Sequence, residues 1–272
     1  MLKTRVITAV ILLAILLSVL FSHSFVFFSL VAAVFFGAAA WECFRLFQNR
    51  QPLLGAALWS AAFVFIVFKG DLSRANLLFG LCAAIWALRL VPSLAVGLPA
   101  AGSVGNRLLN GIYGIAILGC FIAIAALFRH SPQYLLSVMA LVWVADIGAY
   151  FAGKAFGKHK LAPSISPGKS WEGAIGGWLA VLVIAAATTL APALADTFAA
   201  RVQMKWGWLG FGAVMTLLVA ASIVGDLFES QLKRRVSMKD SSNLLPGHGG
   251  VLDRIDALIP TLPLAILIDS WL

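Results

Sequence analysis

Long apolar runs constrain this chain more than any other feature of its sequence. They follow one another from residue 6 to residue 271, and most are long enough to cross about 30 Å of hydrocarbon as a helix. Hydrophobic residues make up 61% of the chain and charged residues 11%, whereas soluble domains average roughly 45–50% and 25%. A spanning segment must be helical, because lipid offers no partners to free backbone groups. The sequence therefore predicts an all-α, polytopic integral membrane protein.

The number of transmembrane helices is predicted to be about nine, with eight as the alternative. Pro260 and Pro263 lie in the last apolar run, so that segment can be kinked or half-inserted instead of spanning. Lys3 and Arg5 precede the first run, which we interpret as a membrane helix because further spans follow it. The predicted segments are 6–22, 25–44, 53–68, 76–96, 108–128, 134–152, 173–195, 207–225 and 255–271.

Basic residues are distributed unequally between the two sides of this topology. With the N-terminus in the cytoplasm, the outside loops hold only five of the 20 Lys and Arg residues, which are Lys69, Arg74, Arg129, Arg201 and Lys205. This bias predicts a cytoplasmic N-terminus and places both polar segments, 153–172 and 226–256, on the cytoplasmic side of what we expect to be the cytoplasmic (inner) membrane. It also explains the net charge of +9. No groove-reading or base-stacking element accompanies that charge, so a nucleic-acid partner is not expected.

The sequence indicates a single membrane domain with two regions. Residues 1–140 look like ordinary membrane helices, whereas residues 141–272 hold the polar chemistry in the predicted cytoplasmic loops 153–172 and 226–256. The cysteines lie in or beside apolar runs without the spacing of a metal site, so we expect them to be buried among helices. They are Cys43, Cys82 and Cys120.

The polar segment from residue 225 to residue 256 carries five carboxylates, five Lys or Arg and one His between apolar runs. Polar groups so close to lipid are costly, and this mixture suits a divalent cation together with a polyphosphate. Asp226, Glu229 and Lys233 share one face of a helix that we expect to continue past residue 225. Asp226 is a natural Mg²⁺ ligand, since Mg²⁺ is usually held by one or two carboxylates plus substrate phosphates.

The end of that segment combines a glycine-rich loop with two further carboxylates. The run Pro246–Gly250 can form an anion-binding nest of backbone N–H groups, to which Gly249 and Gly250 contribute. His248 has either a phosphate or acid/base role or a packing role in the loop. Asp253 and Asp256 open the last helix, where they could instead complement its positive N-terminus.

The segment from Asp146 to Gly173 is a second candidate. Asp146 lies inside an apolar run, and an intramembrane acid is a functional candidate by default. Lys169 and Ser170 are expected on a Pro/Gly turn where they could contact phosphate, although inside-positive charge alone explains the neighbouring lysines. The spacing of Gly173 and Gly177 predicts a close contact between helices.

These residues together resemble the phosphatidate cytidylyltransferase family, also called CDP-diacylglycerol synthases. The family pattern is Ser-x-hydrophobic-Lys-Arg, then Lys-Asp, Pro-Gly-His-Gly-Gly and Asp-Arg-x-Asp, and the resemblance is strong over about 140–258. Two positions depart from it: Ser242 stands where glycine is common, and Gly168 where a second lysine often precedes Lys169. The matching positions are Ser230, Leu232, Lys233, Arg234, Lys239, Asp240, Pro246, Gly247, His248, Gly249, Gly250, Asp253, Arg254 and Asp256.

The resemblance implies transfer of the cytidylyl group of CTP to phosphatidate, giving CDP-diacylglycerol and pyrophosphate in phospholipid biosynthesis. It implies Mg²⁺ held by Asp226 and Asp253, in some members K⁺ beside it, and a homodimer. The implied catalytic residues are Asp226, Lys233, Arg234, Lys239, Asp253 and Asp256. The implied substrate-binding residues are Asp146, Lys169, Ser170, Glu229, His248, Gly249, Gly250 and Arg254.

Two other functions stay open at this point. One is a different membrane phospholipid or polyprenyl-phosphate transferase. The enzymes that join a CDP-activated lipid to an alcohol carry the pattern Asp-x-x-Asp-Gly-x-x-Ala-Arg, which this chain lacks. The other is an ion-coupled transporter using Asp146 and Asp226, which would be expected to show paired broken helices in two related halves.

Overall fold

The computed structural model describes residues 2–22, 24–72 and 75–272, and the side chains from residue 6 onward within those ranges. Each predicted apolar segment overlaps a helix. Arg74, one of the predicted outside residues, lies outside the described residues, as do the side chains of Lys3 and Arg5. The helices are α1 Leu2–Phe21, α2 Phe25–Leu46, α3 Pro52–Lys69, α4 Asn76–Ile85, α5 Val91–Val96, α6 Val104–His130, α7 Pro132–Phe156, α8 Trp171–Thr189, α9 Phe198–Arg235, α10 Leu252–Ile255 and α11 Leu258–Asp269.

Seven helical segments in the described part of the chain are long and apolar enough to cross a membrane. One of them joins α4 and α5 through a turn of π-helix, Trp86–Leu90. The apolar part of α1, Val6–Phe21, is shorter. The predicted segment 255–271 is not one continuous helix, because α11 begins only at Leu258 and has 12 residues. That length gives a rise of about 18 Å, whereas the hydrocarbon core is about 30 Å thick.

Helix α11 lies inside the bundle, where it packs against α4, α6 and α9. Its residues Ile259 and Leu262 are fully buried. At its end Asp269 accepts a hydrogen bond of 2.5 Å from the hydroxyl of Tyr134 and pairs with Arg201 at 3.2 Å. Tyr134 and Arg201 stand near the first residues of α7 and α9, so this polar cluster marks the end of the bundle opposite the two polar segments.

Helix α9 is longer than the predicted segment 207–225. It begins at Phe198, changes direction at Gly207, where φ is +65°, and continues to Arg235. A positive φ is a conformation that glycine adopts without strain. Because α9 continues to Arg235, the expected extension of this helix beyond residue 225 is confirmed. Arg235 then donates to Asn106 Oδ1 at 2.7 Å and to the Leu46 carbonyl at 3.2 Å, which joins α9 to α2 and α6 at the end that carries the polar segments.

A small antiparallel hairpin, β1 Lys160–Ala162 and β2 Ser166–Ser170, precedes α8. The expectation that Lys169 and Ser170 lie on a turn is wrong, because both belong to β2. Ser170 then serves as the N-cap of α8, where its hydroxyl accepts from the Gly173 amide. A serine with extended backbone is a favourable N-cap residue. Ser170 is both the last residue of β2 and the N-cap of α8, so the helix follows the strand directly.

Helices α7 and α8 approach each other closely through glycines. A Cβ on Gly173 would come within 2.9 Å of the Ala149 carbonyl oxygen, and one on Gly177 would overlap the Ala145 carbonyl. The close helix contact predicted from this spacing is confirmed. It brings Asp146 on α7 to the same cavity as the hairpin before α8. The three cysteines are buried and free, as expected.

Candidate active site

An ion pair joins the two polar segments. Lys169 Nζ, on β2, lies 2.6 Å from Asp226 Oδ2, on α9, and both side chains are partly exposed. Ser230, one turn further along α9, donates to Asp226 Oδ1 at 3.1 Å. The sequence pattern offered Lys169 and Asp226 as separate candidates, and the fold places them in direct contact.

A second, buried group of charges lies beside this ion pair. Lys233 Nζ is 2.5 Å from Glu229 Oε2 and 2.6 Å from Asp253 Oδ1. Glu229 is fully buried and Lys233 nearly so. One lysine therefore bridges two carboxylates, which links α9 to α10. Removing the lysine would leave both acids in a low-dielectric interior without compensation.

The loop between α9 and α10 is organised around Asp253. Its Oδ2 accepts from the Ser241 amide and the Gly250 amide, each at 2.8 Å, and from the Ser241 hydroxyl at 2.9 Å. Burial opposes ionisation of this group, but the Lys233 ammonium and these amide donors together hold the pKa of Asp253 below its usual value. Gly247 and Gly249 adopt positive φ, as the glycine-rich turn predicts.

Glu42 is a functional candidate that the sequence analysis missed. It lies on α2 and is fully buried, and the loop before α10 surrounds its carboxylate with donors. These are the Ser242 hydroxyl and the Leu252 amide, at 2.5 Å and 2.6 Å, with the Val251 amide at 3.1 Å. The signal was available: Glu42 is the sole acid among residues 1–70, and it lies in an apolar run just as Asp146 does.

Two cavities meet at Asp146. The first has a volume of about 390 Å³ and is lined mainly by apolar side chains of α1, α2, α6 and α7, with Asp253, Arg254 and Asp256 at one end. The second, of about 440 Å³, is lined by α7, α8, α9 and the hairpin, including Lys169 and Asp226. Asp146 lines both cavities. Asp146 thus lies in the walls of both a mainly apolar cavity and one that holds Lys169 and Asp226.

Negative charge is concentrated where the cavities meet. Burial, and then the charge of Asp226, raise the pKa of Asp256 to about 7. Its side chain accepts from the Ala257 amide at 2.8 Å. Glycine at position 225 lets α9 pack closely against the Asp256 backbone, since a Cβ there would overlap the Asp256 carbonyl oxygen. Carboxylates crowded together in this way favour a bound cation.

The remaining predicted residues differ in their positions. Arg254 and Lys239 are exposed, and Arg254 lines the apolar cavity. Arg234 is exposed and donates to the Ile165 carbonyl at 3.3 Å, which ties α9 to the hairpin. Ser170 is a buried helix cap at the edge of the polar cavity. His248 is half-buried in the loop.

The carboxylates of Asp226 and Asp253 can be compared with the ligands that Mg²⁺ requires. Across residues 2–22, 24–72 and 75–272, no three His, Cys, Asp or Glu side chains form a metal-binding group. Mg²⁺ needs only one or two carboxylates when phosphates complete its shell. Asp226 is 31% exposed on the polar cavity. Asp253 Oδ1 accepts from Lys233, and a carboxylate oxygen can accept twice. Both residues offer the carboxylate oxygens that such a site uses, Asp226 on the polar cavity and the nearly buried Asp253 on the apolar one.

The chain is similar to known proteins over almost its whole length. A sequence model of the cytidylyltransferase family matches residues 3–271. A phosphatidate cytidylyltransferase of Haemophilus influenzae is 37% identical over 284 residues, which cover 97% of this chain and 96% of the relative. One of Pseudomonas aeruginosa is 41% identical over 267 residues, covering 97% and 95%. One of Bacillus subtilis is 38% identical over 160 residues, covering 59% and 56%.

Proposed function

The chain belongs to the cytidylyltransferase family, and we propose that it transfers the cytidylyl group of CTP to phosphatidate, giving CDP-diacylglycerol and pyrophosphate. The observation that carries this proposal is the meeting of an apolar and a charged cavity at Asp146. A reaction between a lipid and a nucleotide needs both kinds of cavity side by side.

The apolar cavity suits the lipid substrate. Its walls are apolar side chains of four helices, and Arg254 lies at its polar end. The acyl chains of phosphatidate would lie along the walls, and the Arg254 guanidinium would pair with the lipid phosphate. Transfer of acyl chains from the bilayer into an apolar cavity costs little, because both surroundings are apolar.

The charged cavity suits the triphosphate of CTP. Lys169 and Asp226 line it together with Gly153, Lys154 and Ser170. An incoming phosphate would compete for the Lys169 amine and leave Asp226 free to bind a cation. The ion pair therefore keeps both groups in place before substrate arrives.

Mg²⁺ would be held by Asp226 and Asp253, and when bound it would neutralise phosphate charge and stabilise the leaving pyrophosphate. Asp256 and Glu229 add negative charge nearby, whereas Lys233 holds Asp253 in position. K⁺ beside Mg²⁺ is a second cation implied by the family resemblance, and no residue of this chain is assigned to it.

The chemical step joins two anions. An ionised phosphatidate oxygen attacks the α-phosphorus of CTP, a new P–O bond forms, and the bond to pyrophosphate breaks with its electron pair leaving on pyrophosphate. Phosphatidate is already ionised near neutral pH, so no strong general base is required. Lys169, Arg254 and the exposed basic residues Arg234 and Lys239 reduce the repulsion, and catalysis rests on positioning and electrostatics.

The same proposal covers the location of the protein. Its polar segments lie at one end of the bundle, and the excess of Lys and Arg at that end supports a cytoplasmic active site with a cytoplasmic N-terminus in the inner membrane. CTP would enter from the cytoplasm and phosphatidate from the inner leaflet. A homodimer is proposed from the family resemblance alone.

Purified protein in detergent, supplied with labelled CTP and phosphatidate, tests this function directly. We expect Mg²⁺-dependent labelled CDP-diacylglycerol with one pyrophosphate released per product. A folded protein that forms no labelled lipid with several phosphatidates and added K⁺ would contradict the proposal. Consumption of CDP-diacylglycerol with an alcohol would instead indicate the other class of lipid transferase.

A further inference from the structure

We propose that Glu42 is a positioning residue for the transfer reaction, which acts by holding the loop that carries Asp253 and Arg254. This inference rests on the proposed function, since it gives Glu42 a part in that reaction. Glu42 lies on α2, in the half of the chain where the sequence pattern predicted only ordinary membrane helices.

The Glu42 carboxylate is directed at the loop 241–252. Its Oε1 accepts from the Ser242 hydroxyl at 2.5 Å and the Val251 amide at 3.1 Å. Its Oε2 accepts from the Leu252 amide at 2.6 Å and faces the Ser241 hydroxyl at 3.2 Å. All four contacts bring an N–H or O–H group of the loop to the Glu42 side chain. A fully buried carboxyl group is costly unless hydrogen-bonding partners surround it, so Glu42 and the loop stabilise each other.

The same loop is held from its other side by Asp253. The Ser241 hydroxyl lies 2.9 Å from Asp253 Oδ2 and has a single proton, so it donates to either Asp253 or Glu42 at one time. Gly250 donates to Asp253 and packs against Glu42 so closely that a Cβ would overlap Oε1. A shift of Glu42 would therefore move the backbone on which Asp253 depends.

Glu42 is fully buried, so it is not a candidate for contact with substrate. Its effect would pass through the Val251 and Leu252 amides, which begin the short helix α10. Asp253 and Arg254 follow immediately on that helix. Displacing a catalytic group by about 1 Å can lower a rate about 10²-fold without removing the group itself.

The test compares Glu42→Gln with the matched control Cys43→Ala. Glutamine keeps the size of the side chain but loses the charge and turns an NH₂ donor toward loop donors. Cys43 is the next residue on α2 and equally buried, and its sulfur faces Asn110 instead of the loop. We expect Glu42→Gln to lower kcat about tenfold or more and to change KM for CTP much less. Cys43→Ala should match the unmodified protein.

Hydrogen exchange measured by mass spectrometry gives a readout independent of activity. In Glu42→Gln, amides of residues 241–252 should exchange faster, while those of α6 and α7 should keep their protection. Ser242→Ala, which removes one donor only, should give a smaller effect of the same kind. Its effect on kcat should not add to that of Glu42→Gln, because the two side chains form one interaction.

Two outcomes would overturn the inference. One is kinetics of Glu42→Gln equal to those of Cys43→Ala, and the other is exchange that rises throughout the bundle, which would make Glu42 a residue of general stability. If the unmodified protein itself makes no CDP-diacylglycerol, the proposed function fails and the inference with it. An active protein with an unaffected Glu42→Gln variant overturns the inference alone.

Discussion

The Lys169 amine and the Asp226 carboxylate lie 2.6 Å apart, so the hairpin before α8 and the C-terminal third of α9 meet within the charged cavity. This pair is only partly buried, and its strength as a stabilising contact is modest. Its position beside Asp146 is the more informative property, because it places one cationic and one anionic group where a triphosphate and its metal would bind.

Asp226→Asn should lower kcat about 10²–10³-fold while the protein still inserts and folds. The change removes the charge of the proposed metal ligand with almost no change of shape. Steady-state assays at saturating Mg²⁺ test this, with Asp196→Asn as a control. Asp196 is exposed and pairs with His130 at the opposite end of the bundle. Near-normal turnover of Asp226→Asn at saturating Mg²⁺ would rule out its role as a ligand.

Lys169→Ala should mainly raise the apparent KM for CTP or phosphatidate, by roughly tenfold as for a lost hydrogen bond to a charged group. Lys158→Ala is the matched control, because Lys158 belongs to the same basic segment but is exposed outside the cavity. Kinetic titration of each substrate separates the two variants. Equal, unchanged constants in both would mean that Lys169 only contributes to membrane orientation.

Lys233→Met should destabilise the protein by about 3–5 kcal/mol, because Glu229 and Asp253 would lose their shared partner in a buried site. Thermal unfolding in detergent measures the change. Lys205→Met, on the exposed opposite end of α9, should leave the unfolding temperature nearly unchanged. A Lys233→Met protein as stable as this control would show that the three buried charges do not support the fold.

Removal of divalent metal should abolish turnover. After chelation with EDTA and buffer exchange, we expect background activity that Mg²⁺ restores and K⁺ alone does not. The Asp226→Glu variant should need more Mg²⁺ for half-maximal activity, since its longer side chain displaces the carboxylate. Full activity in excess EDTA would contradict a metal-dependent reaction.

Gly177→Ala should destabilise the protein by about 1–3 kcal/mol, because the new methyl group would overlap the Ala145 carbonyl of α7. The overlap would also push α7 away from α8, which should lower activity because Asp146 would move away from the hairpin. Gly168→Ala is the control, since nothing lies within 4 Å of a Cβ at that position. Unfolding temperature and kcat, measured on the same preparations, would be expected to fall only for Gly177→Ala.

Much of the fold was predictable because lipid selects helices by length and composition. The apolar runs located the helices, and the spacing of Gly173 and Gly177 predicted their close contact. The breakdown of the last segment into α10 and a short α11 was only partly predictable. Two prolines indicated an irregular helix, but burial of α11 among α4, α6 and α9 depends on packing that hydropathy does not encode.

The sequence predicted one part of the candidate site correctly and missed the local structure of another part. The motif residues after Gly225 lie close in sequence, so their spacing alone brought Glu229 and Lys233 onto adjacent turns of one helix. The hairpin at Lys169 was missed, because five residues of Ser, Pro, Gly and Lys indicate a turn more strongly than a strand.

The sequence by itself determined the class of protein, the approximate position of its helices and the residues that we propose to bind phosphate and metal. Only the tertiary structure decided that Lys169 faces Asp226, that two cavities meet at Asp146, and that Glu42 of α2 holds the loop before Asp253. The physical reason is that apolar burial is non-directional. It places a segment in the membrane, whereas helix neighbours are selected by shape and by specific hydrogen bonds between residues far apart in the chain.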